Sequence, residues 1–370
     1  MREIYLDHAA TTPLDPRVKA AMEPYWSEVY GNPSALYGQG RLAKEAIDRS
    51  REMVAGILHA KPDEIIFTAG GTEADNIAIF GATQMFQISG KPFDSAQGKA
   101  GHLITTAFEH HAGLRSFETL ARNGWAVTYL PVSGEGLVDP AAVQDAIRPD
   151  TLLISVMYAN NEIGTIQPIA QIGKALKDIR RERLAANNSL PIYFHCDASQ
   201  AAGFAELDVQ KLGVDLMSLN GGKIYGPKGS GCLFIRSGVR LKPVFHGGGQ
   251  EKNLRSGTEN VPLIVGFAKA LEVAEKERPA EVARLLELRD YFIRRLIQEI
   301  PKTELNGHST LRLANNVNAS VLDVEGEAVD LPAVQAHKIH PELLHIELGK
   351  SGRLRGITVE IERQLIPGLP

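Results

Sequence analysis

From about residue 41 to 240, short apolar runs alternate with segments of helical period, and this restricts the fold more than any single residue does. The runs at 65–67, 103–106, 127–130, 152–157, 192–195 and 216–219 are β-rich and mostly apolar on both faces. A strand that is apolar on both faces has to be covered on both. Between the runs, Leu42, Ala46, Ile47, Met53, Val54 and Ile57 recur at helical spacing, and residues 114–121 and 169–183 continue the pattern. Alternation of this kind predicts an α/β domain with a largely parallel sheet. After Pro262 the texture changes. Residues 263–277 and 280–300 read as two amphipathic helices with Pro279 between them, and 315–321 reads as a strand. This tail is a candidate second domain. Residues 89–99 are polar, rich in breakers and aperiodic, which reads as an inserted loop, and 185–189 read the same way at the end of a basic helix.

The length of 370 residues suits about two domains at roughly 150 residues each. With 40 basic against 44 acidic side chains, nothing electrostatic favours nucleic acid or an anionic membrane as partner. Two cysteines, Cys196 and Cys232, imply no disulfide framework, and a reducing cytoplasm is expected. Residues 1–5 lack the apolar stretch of a signal peptide, and no apolar run is long enough to span a bilayer. The sequon at 187–189 reads as chance in such a chain.

Five segments carry candidate chemistry. In Thr68-Ala69-Gly70-Gly71-Thr72-Glu73-Ala74-Asp75-Asn76 a strand runs into two glycines and a threonine able to cap a helix. Backbone N–H groups, a hydroxyl and a helix dipole there suit an anion, although an ordinary strand-to-helix turn has the same look. Glu109-His110-His111 ends a strand; a histidine there can stack on a ring or move protons, or be structural. Tyr158-Ala159-Asn160-Asn161-Glu162-Ile163-Gly164 follows an apolar strand, where polar groups line a crevice or simply make a turn. Asp197, at the end of another apolar strand, suits a protonated ring nitrogen; the alternative is a helix cap. Lys223 follows a buried strand in the glycine-rich Asn220-Gly221-Gly222-Lys223-Ile224-Tyr225-Gly226-Pro227-Lys228-Gly229. Desolvation there would expose a nucleophilic amine, whereas Lys228 better fits a solvated loop lysine. Phosphate turn, histidine, asparagine, aspartate and lysine, in that order, supply the contacts that pyridoxal 5'-phosphate (PLP) needs.

These residues resemble the class V aminotransferase superfamily, and within it the cysteine desulfurases. The resemblance is carried by Tyr5-Leu6-Asp7-His8-Ala9-Ala10-Thr11-Thr12-Pro13, Gly31-Asn32-Pro33-Ser34, the Gly-Gly-Thr-Glu-Ala-Asp-Asn turn, Asn160-Asn161-Glu162-Ile163-Gly164, Lys223-Ile224-Tyr225-Gly226-Pro227-Lys228-Gly229 and Arg255-Ser256-Gly257-Thr258. It implies a fold type I PLP transferase. The large domain, residues 13–265, would hold a mostly parallel seven-stranded sheet. A smaller, incomplete α+β domain would combine 1–12 with 266–370. It implies that Lys223 carries PLP as a Schiff base and moves the α-proton, that His110 stacks on the ring and assists, and that Asp197 pairs with the ring nitrogen. Gln200 and Asn161 would lie near the ring oxygen and substrate. Gly71, Thr72 and Asn220 would serve the phosphate, with Thr258 reaching it from the other subunit of a homodimer. The implied reaction converts L-cysteine to L-alanine, passing sulfur through an enzyme persulfide to an acceptor protein for iron–sulfur cluster or tRNA thiolation pathways.

The chain departs from this pattern in two places. Where the family has Ser-Gly-His-Lys, this chain has Asn220-Gly221-Gly222-Lys223, which predicts weaker PLP retention. After about residue 330 the resemblance is lost. Residues 331–340 carry no loop cysteine, and Arg353 and Arg355 lie outside the family's substrate-clamp context, as in a truncated or frame-shifted gene. Cys196 is expected to point away from the ring, since strand neighbours face opposite sides, and Cys232 to be a core thiol. The alternatives are a PLP lyase or aminotransferase acting on another amino acid, which needs Lys223 but no thiol, and a catalytically impaired family member.

Overall fold

The computed structural model describes residues 5–86, 100–188, 190–322 and 357–360. Its elements run α1 (Pro16–Met22), α2 (Pro24–Ser27), α3 (Gly38–Leu58), β1 (Ile65–Thr68), α4 (Gly71–Gln84), β2 (Ala100–Thr106), α5 (His111–Arg122), β3 (Trp125–Leu130), α6 (Pro140–Asp145) and β4 (Thr151–Ser155). They continue with α7 (Ile169–Ala185), β5 (Tyr193–Asp197), α8 (Val209–Leu212), β6 (Leu216–Asn220), β7 (Gly231–Ile235), α9 (Val261–Glu299), β8 (Thr303–Leu305), β9 (Asn316–Val321) and β10 (Ile357–Glu360).

The expected seven-stranded sheet is present, in the order β1-β7-β6-β5-β4-β2-β3. Strands β6, β5, β4, β2 and β3 pair in parallel, and β7 runs antiparallel to both β1 and β6. Successive side chains of a strand face opposite sides, and the two-sided apolar runs fill two cores accordingly. Ile154, Phe194, Cys196 and Met217 join one core, with α3, α7 and the first half of α9. Leu153, Tyr193, Leu216 and Leu233 join the other, against α4 and α5. All parallel strands thereby end on one edge, where the polar loops gather.

The tail folds differently from the expected pair of helices. α9 runs unbroken for 39 residues with Pro279 inside it. A proline removes one backbone donor, but packing at both ends holds the helix together. Phe267, Ala268 and Leu271 sit in the main core, while Phe292 and Leu296 pack with Leu6, Val317 and Ala319 in a third cluster. Leu6 thus ties the N-terminal segment to the C-terminal part. β8, β9 and β10 form a small antiparallel sheet beside this cluster. The inserted loop at 89–99, the segment 331–340, and Arg353 and Arg355 lie outside the described residues.

The loop that carries Arg255 and Thr258 is anchored by a buried ion pair. Arg51 Nη1 and Nη2 donate to Glu251 Oε2 (2.9 Å) and Oε1 (2.6 Å), and the Phe67 N–H donates to Oε2 at 2.8 Å. Glu251, Lys252 and Asn253 all adopt positive φ, 42°, 59° and 62°, a costly conformation for residues other than glycine. The carboxylate clamp opposes that cost. Glu251→Ala would leave the Arg51 guanidinium buried without its carboxylate, and is expected to cost about 3–5 kcal/mol of stability in chemical denaturation. A loss below about 1 kcal/mol would show that the pair is dispensable.

Candidate active site

The parallel strands deliver their polar residues to one crevice, at the carboxyl ends where open α/β sheets bind ligands. A cavity of about 230 Å³ lies there, lined by Gly71, Thr72, His110, Asn161, Asp197, Gln200, Asn220 and Lys223, together with Asp7, Ala9, Ala10, Asp75 and Glu162. Eight of the nine candidate residues therefore converge, although the chain separates the first from the last by about 150 positions. The ninth, Thr258, is exposed and does not line this cavity within the single chain.

Lys223 closes a short 3-10 turn after β6. Its Nζ donates to the carbonyls of Ala9 and Ala10, the latter at 2.7 Å. The N-terminal segment is stitched across the lysine loop by further bonds. The Thr12 N–H and hydroxyl both donate to the Gly222 carbonyl, at 3.0 and 3.1 Å, and the Tyr225 N–H donates to the Thr12 hydroxyl at 2.8 Å. Lys228 Nζ donates to the Thr12 carbonyl at 3.0 Å. It is exposed in its loop, as expected, and this one bond also braces the strap.

Asp197 ends β5 and is buried. Its Oδ1 accepts the Ser199 N–H at 2.9 Å, so it also caps the turn that follows. Burial first, and then the neighbouring Asp75, push its carboxyl up to about 6. A carboxylate so placed is a strong acceptor for a cation entering the cavity. His110 caps α5: its Nδ1 accepts the Ala112 N–H at 3.1 Å, which leaves Nε2 as the protonated nitrogen of the neutral ring. Burial lowers its affinity for a second proton, with Asp197 opposing and Lys223 reinforcing that effect.

At the start of α4 the structure corrects one detail. The cap position belongs to Gly70, with φ +143°, a conformation open to glycine alone, and Thr72 sits in the first turn. At Gly71 a Cβ would lie 2.5 Å from Ser199 Oγ, so any larger residue would displace the Ser199 hydroxyl. Thr72 and the helix N-terminus face the cavity and also a wider opening shared with Gly222, Lys223 and Phe245. Arg255 Nε donates to Glu73 Oε1 at 2.9 Å and fastens the 251–258 loop to that same first turn.

Asn160, not Asn161, forms the turn after β4. Its Oδ1 accepts the N–H groups of Glu162 and Ile163, each at 2.9 Å, which leaves Asn161 on the cavity wall. Gln200 Nε2 donates to the Ala9 carbonyl at 3.0 Å. Asn220 Oδ1 accepts the Gly222 N–H at 3.0 Å. Both thiols are fully buried, Cys196 on the core face opposite the cavity and Cys232 on β7 beside Leu219. Burial raises both thiols above their usual range.

Sequence reasoning gave no role to three features of this site. The Ala9 and Ala10 carbonyls are backbone groups without a residue signature. Asp75 stood in the quoted turn, and its helical offset from Gly71 could have placed it inward. Glu109 is buried, and its Oε1 accepts the Thr106 hydroxyl at 2.7 Å and the Met157 N–H at 3.0 Å.

Burial raises the Glu109 carboxyl from its usual 4.5 to about 8. Its folded value lies above its unfolded one, so the folded state binds the proton more tightly. The stability that this linkage contributes is present at low pH and is lost as pH rises from about 4.5 to about 8. Glu109→Gln keeps an acceptor for both bonds and removes the titration. Its Tm, followed by calorimetry, should vary less across that window than the wild type's and exceed it at pH 8.5; parallel curves would refute the assignment.

Residues 4–340 match the family described as Aminotransferase class-V. Among curated relatives, "Cysteine desulfurase IscS" of Dictyoglomus turgidum is 48% identical over 328 residues, 89% of this chain and 78% of the relative. The protein of the same name from Methanosarcina thermophila is also 48% identical, over 89% of this chain and 76% of the relative. Among solved structures, a NifS-like protein superposes with a TM-score of 0.84 at 31% identity, covering 97% of this chain and 94% of the other. A structure described as SspA in complex with cysteine gives 0.76 at 32% identity, covering 97% and 99%.

Proposed function

Because the chain belongs to the class-V aminotransferase family, we propose that it is a PLP-dependent cysteine desulfurase acting on L-cysteine, with the cofactor held on Lys223. The observation that carries this reading is the convergence of an amine, an imidazole, a buried carboxylate and a helix N-terminus on one cavity. The donor set fits PLP: Lys223 for its aldehyde carbon, His110 for the ring face, Asp197 for the ring nitrogen, and Gly71, Thr72 and Asn220 for the phosphate. Bound PLP supplies an electron sink for charge developing at the substrate α-carbon.

This chain's own residues supply the rest. Lys223, released from the Ala9 and Ala10 carbonyls, takes the α-proton and returns one. His110, fixed through Nδ1, presents its Nε2–H toward the reacting groups. Asn161 and Gln200 orient the substrate side of the cavity. The Asp197 carboxylate would hold a protonated ring nitrogen by a charge-assisted bond. The third cluster, apart from the two cores on the faces of the large sheet, supports a division into a large unit of about residues 13–265 and a smaller one that joins residues 1–12 to 266–370. A homodimer agrees with the exposed Tyr30, Leu36 and Tyr37, and would let Thr258 reach a partner's phosphate site. A cytoplasmic setting agrees with two unpaired thiols; among the described residues no helix is long and apolar enough to cross a membrane.

The sulfur leaves to a thiol from outside these 370 residues, since Cys196 and Cys232 are both fully buried. In balance, the substrate C–S bond breaks and an S–S bond forms: RSH and L-cysteine give RSSH and L-alanine. Burial of both thiols also favours a second reading, β-elimination, which needs no thiol and yields pyruvate, ammonia and sulfide.

Purified protein supplied with PLP should develop a visible absorbance that Lys223→Ala abolishes. With L-cysteine and dithiothreitol it should release alanine, and its intact mass should show no added sulfur atom. Pyruvate in place of alanine would select elimination, and neither product would refute desulfuration.

Gly222 bears on cofactor retention. A Cβ built there meets Asn220 Oδ1 at 3.5 Å, Lys228 Cγ at 3.6 Å and Lys228 Cα at 3.9 Å, all ordinary contacts, so a Cβ fits. Gly222→His should tighten PLP binding about 2- to 10-fold, the worth of one added hydrogen bond. An unchanged Kd in spectroscopic titration would show that the missing side chain costs nothing.

A further inference from the structure

β5 sends more than Asp197 toward the crevice. His195 lies two residues earlier and so projects from the same face. Its ring is held between hydroxyls of both neighbouring strands, with Nδ1 2.9 Å from Ser155 Oγ and Nε2 3.0 Å from Ser218 Oγ. From α4, Asp75 places its Oδ1 3.5 Å from Nε2. Both residues are only 1% exposed. Asp75 Oδ1 makes no hydrogen bond among the described residues, yet Asp75 lines the same cavity as Asp197. A carboxylate oxygen buried without a hydrogen bond is a cost that an apolar side chain would avoid. Packing alone therefore does not account for an acid here.

We propose that Asp75, seated on His195, is a positioning residue that keeps negative charge behind Asp197 and so holds the cofactor's ring nitrogen in its protonated form. The proposal rests on the PLP reading above. Asp75 and Asp197 are both buried and line one cavity; carboxylates so placed repel, and the repulsion is relieved when a cation meets one of them. Asp75 is the neighbouring acid that contributes most to raising the Asp197 carboxyl, after burial itself. The other titratable groups facing Asp197 do not duplicate this. Glu109, behind it, holds its proton at neutral pH. His110 is held neutral on the ring side. Lys223 is committed to the other end of the cofactor, and Asp7 and Glu162 stand on the cavity wall. His195 fits the role of a seat. Its Nε2 stands 3.5 Å from Asp75 Oδ1, an ion-pair separation longer than a hydrogen bond, while the Ser155 and Ser218 hydroxyls fix the ring.

The test is a pH titration of the visible absorbance of the PLP-loaded protein, comparing wild type with Asp75→Asn, which keeps shape and loses charge. Removing the negative charge should lower the titration midpoint by about 1 pH unit, the size of one nearby charge in a partly buried site, and should weaken PLP binding. A residue needed only for packing would change the melting temperature and leave the midpoint in place. An unchanged midpoint in a folded, cofactor-loaded Asp75→Asn protein would overturn the proposal. Asp75→Ala, which loses the charge without burying an amide, is the second variant. If neither variant folds, Asp75 belongs to stability and the proposal falls. A wild type that never develops the visible band would instead refute the PLP reading, a different result from an unmoved midpoint.

Discussion

A carboxylate buried at the end of a parallel strand is expensive unless a cation or donors meet it, and this site is arranged around that cost at Asp197. One donor comes from the chain itself, the Ser199 N–H. The remaining capacity faces the cavity. Near it the protein has further acids where a carboxylate's field would favour bases: Asp75 on α4 and Glu109 after β2 are both buried. Glu109 escapes the repulsion by keeping its proton. The outcome is a cavity lined by buried acids and by the amine of Lys223. A polarised slot of this kind suits a flat ring with a basic nitrogen at one end and an electrophilic carbon at the other.

The N-terminal strap is the second organising feature. Residues 9–12 cross the lysine loop and supply carbonyls to Lys223, Gln200 and Lys228, while Thr12 bonds both ways with the loop backbone. Leu6, just before the strap, is part of the cluster built by Phe292, Leu296, Val317 and Ala319. The position of the amine is thus coupled to the packing of the C-terminal part. α9 makes the same link through the other side of the molecule, with one half in each core.

Much of the site was legible before folding was considered, for a physical reason. Strand ends, glycine turns and single polar residues after apolar runs are local patterns, and Lys223, Asp197, His110 and the Gly70-Gly71 turn each stood in one. What stayed hidden depends on distance through space. Asp75 reads as one acid in a helix until β5 brings His195 beneath it. The Ala9 and Ala10 carbonyls carry no side-chain signature at all. Pro279 misled in the opposite sense: a local rule ended the helix there, but burial on both sides outweighed one missing hydrogen bond.

By itself the sequence determined the alternating α/β architecture, the identity of the chemical groups and their order along the chain. Periodicity and backbone chemistry act over a few residues, so they can be read from a few residues. Only the tertiary structure decided that these groups share one cavity, and that a second buried acid, Asp75 beside His195, lines it with Asp197. Those are consequences of which strands are neighbours and which faces they turn inward, and the sheet order β1-β7-β6-β5-β4-β2-β3 is set by packing across the whole chain.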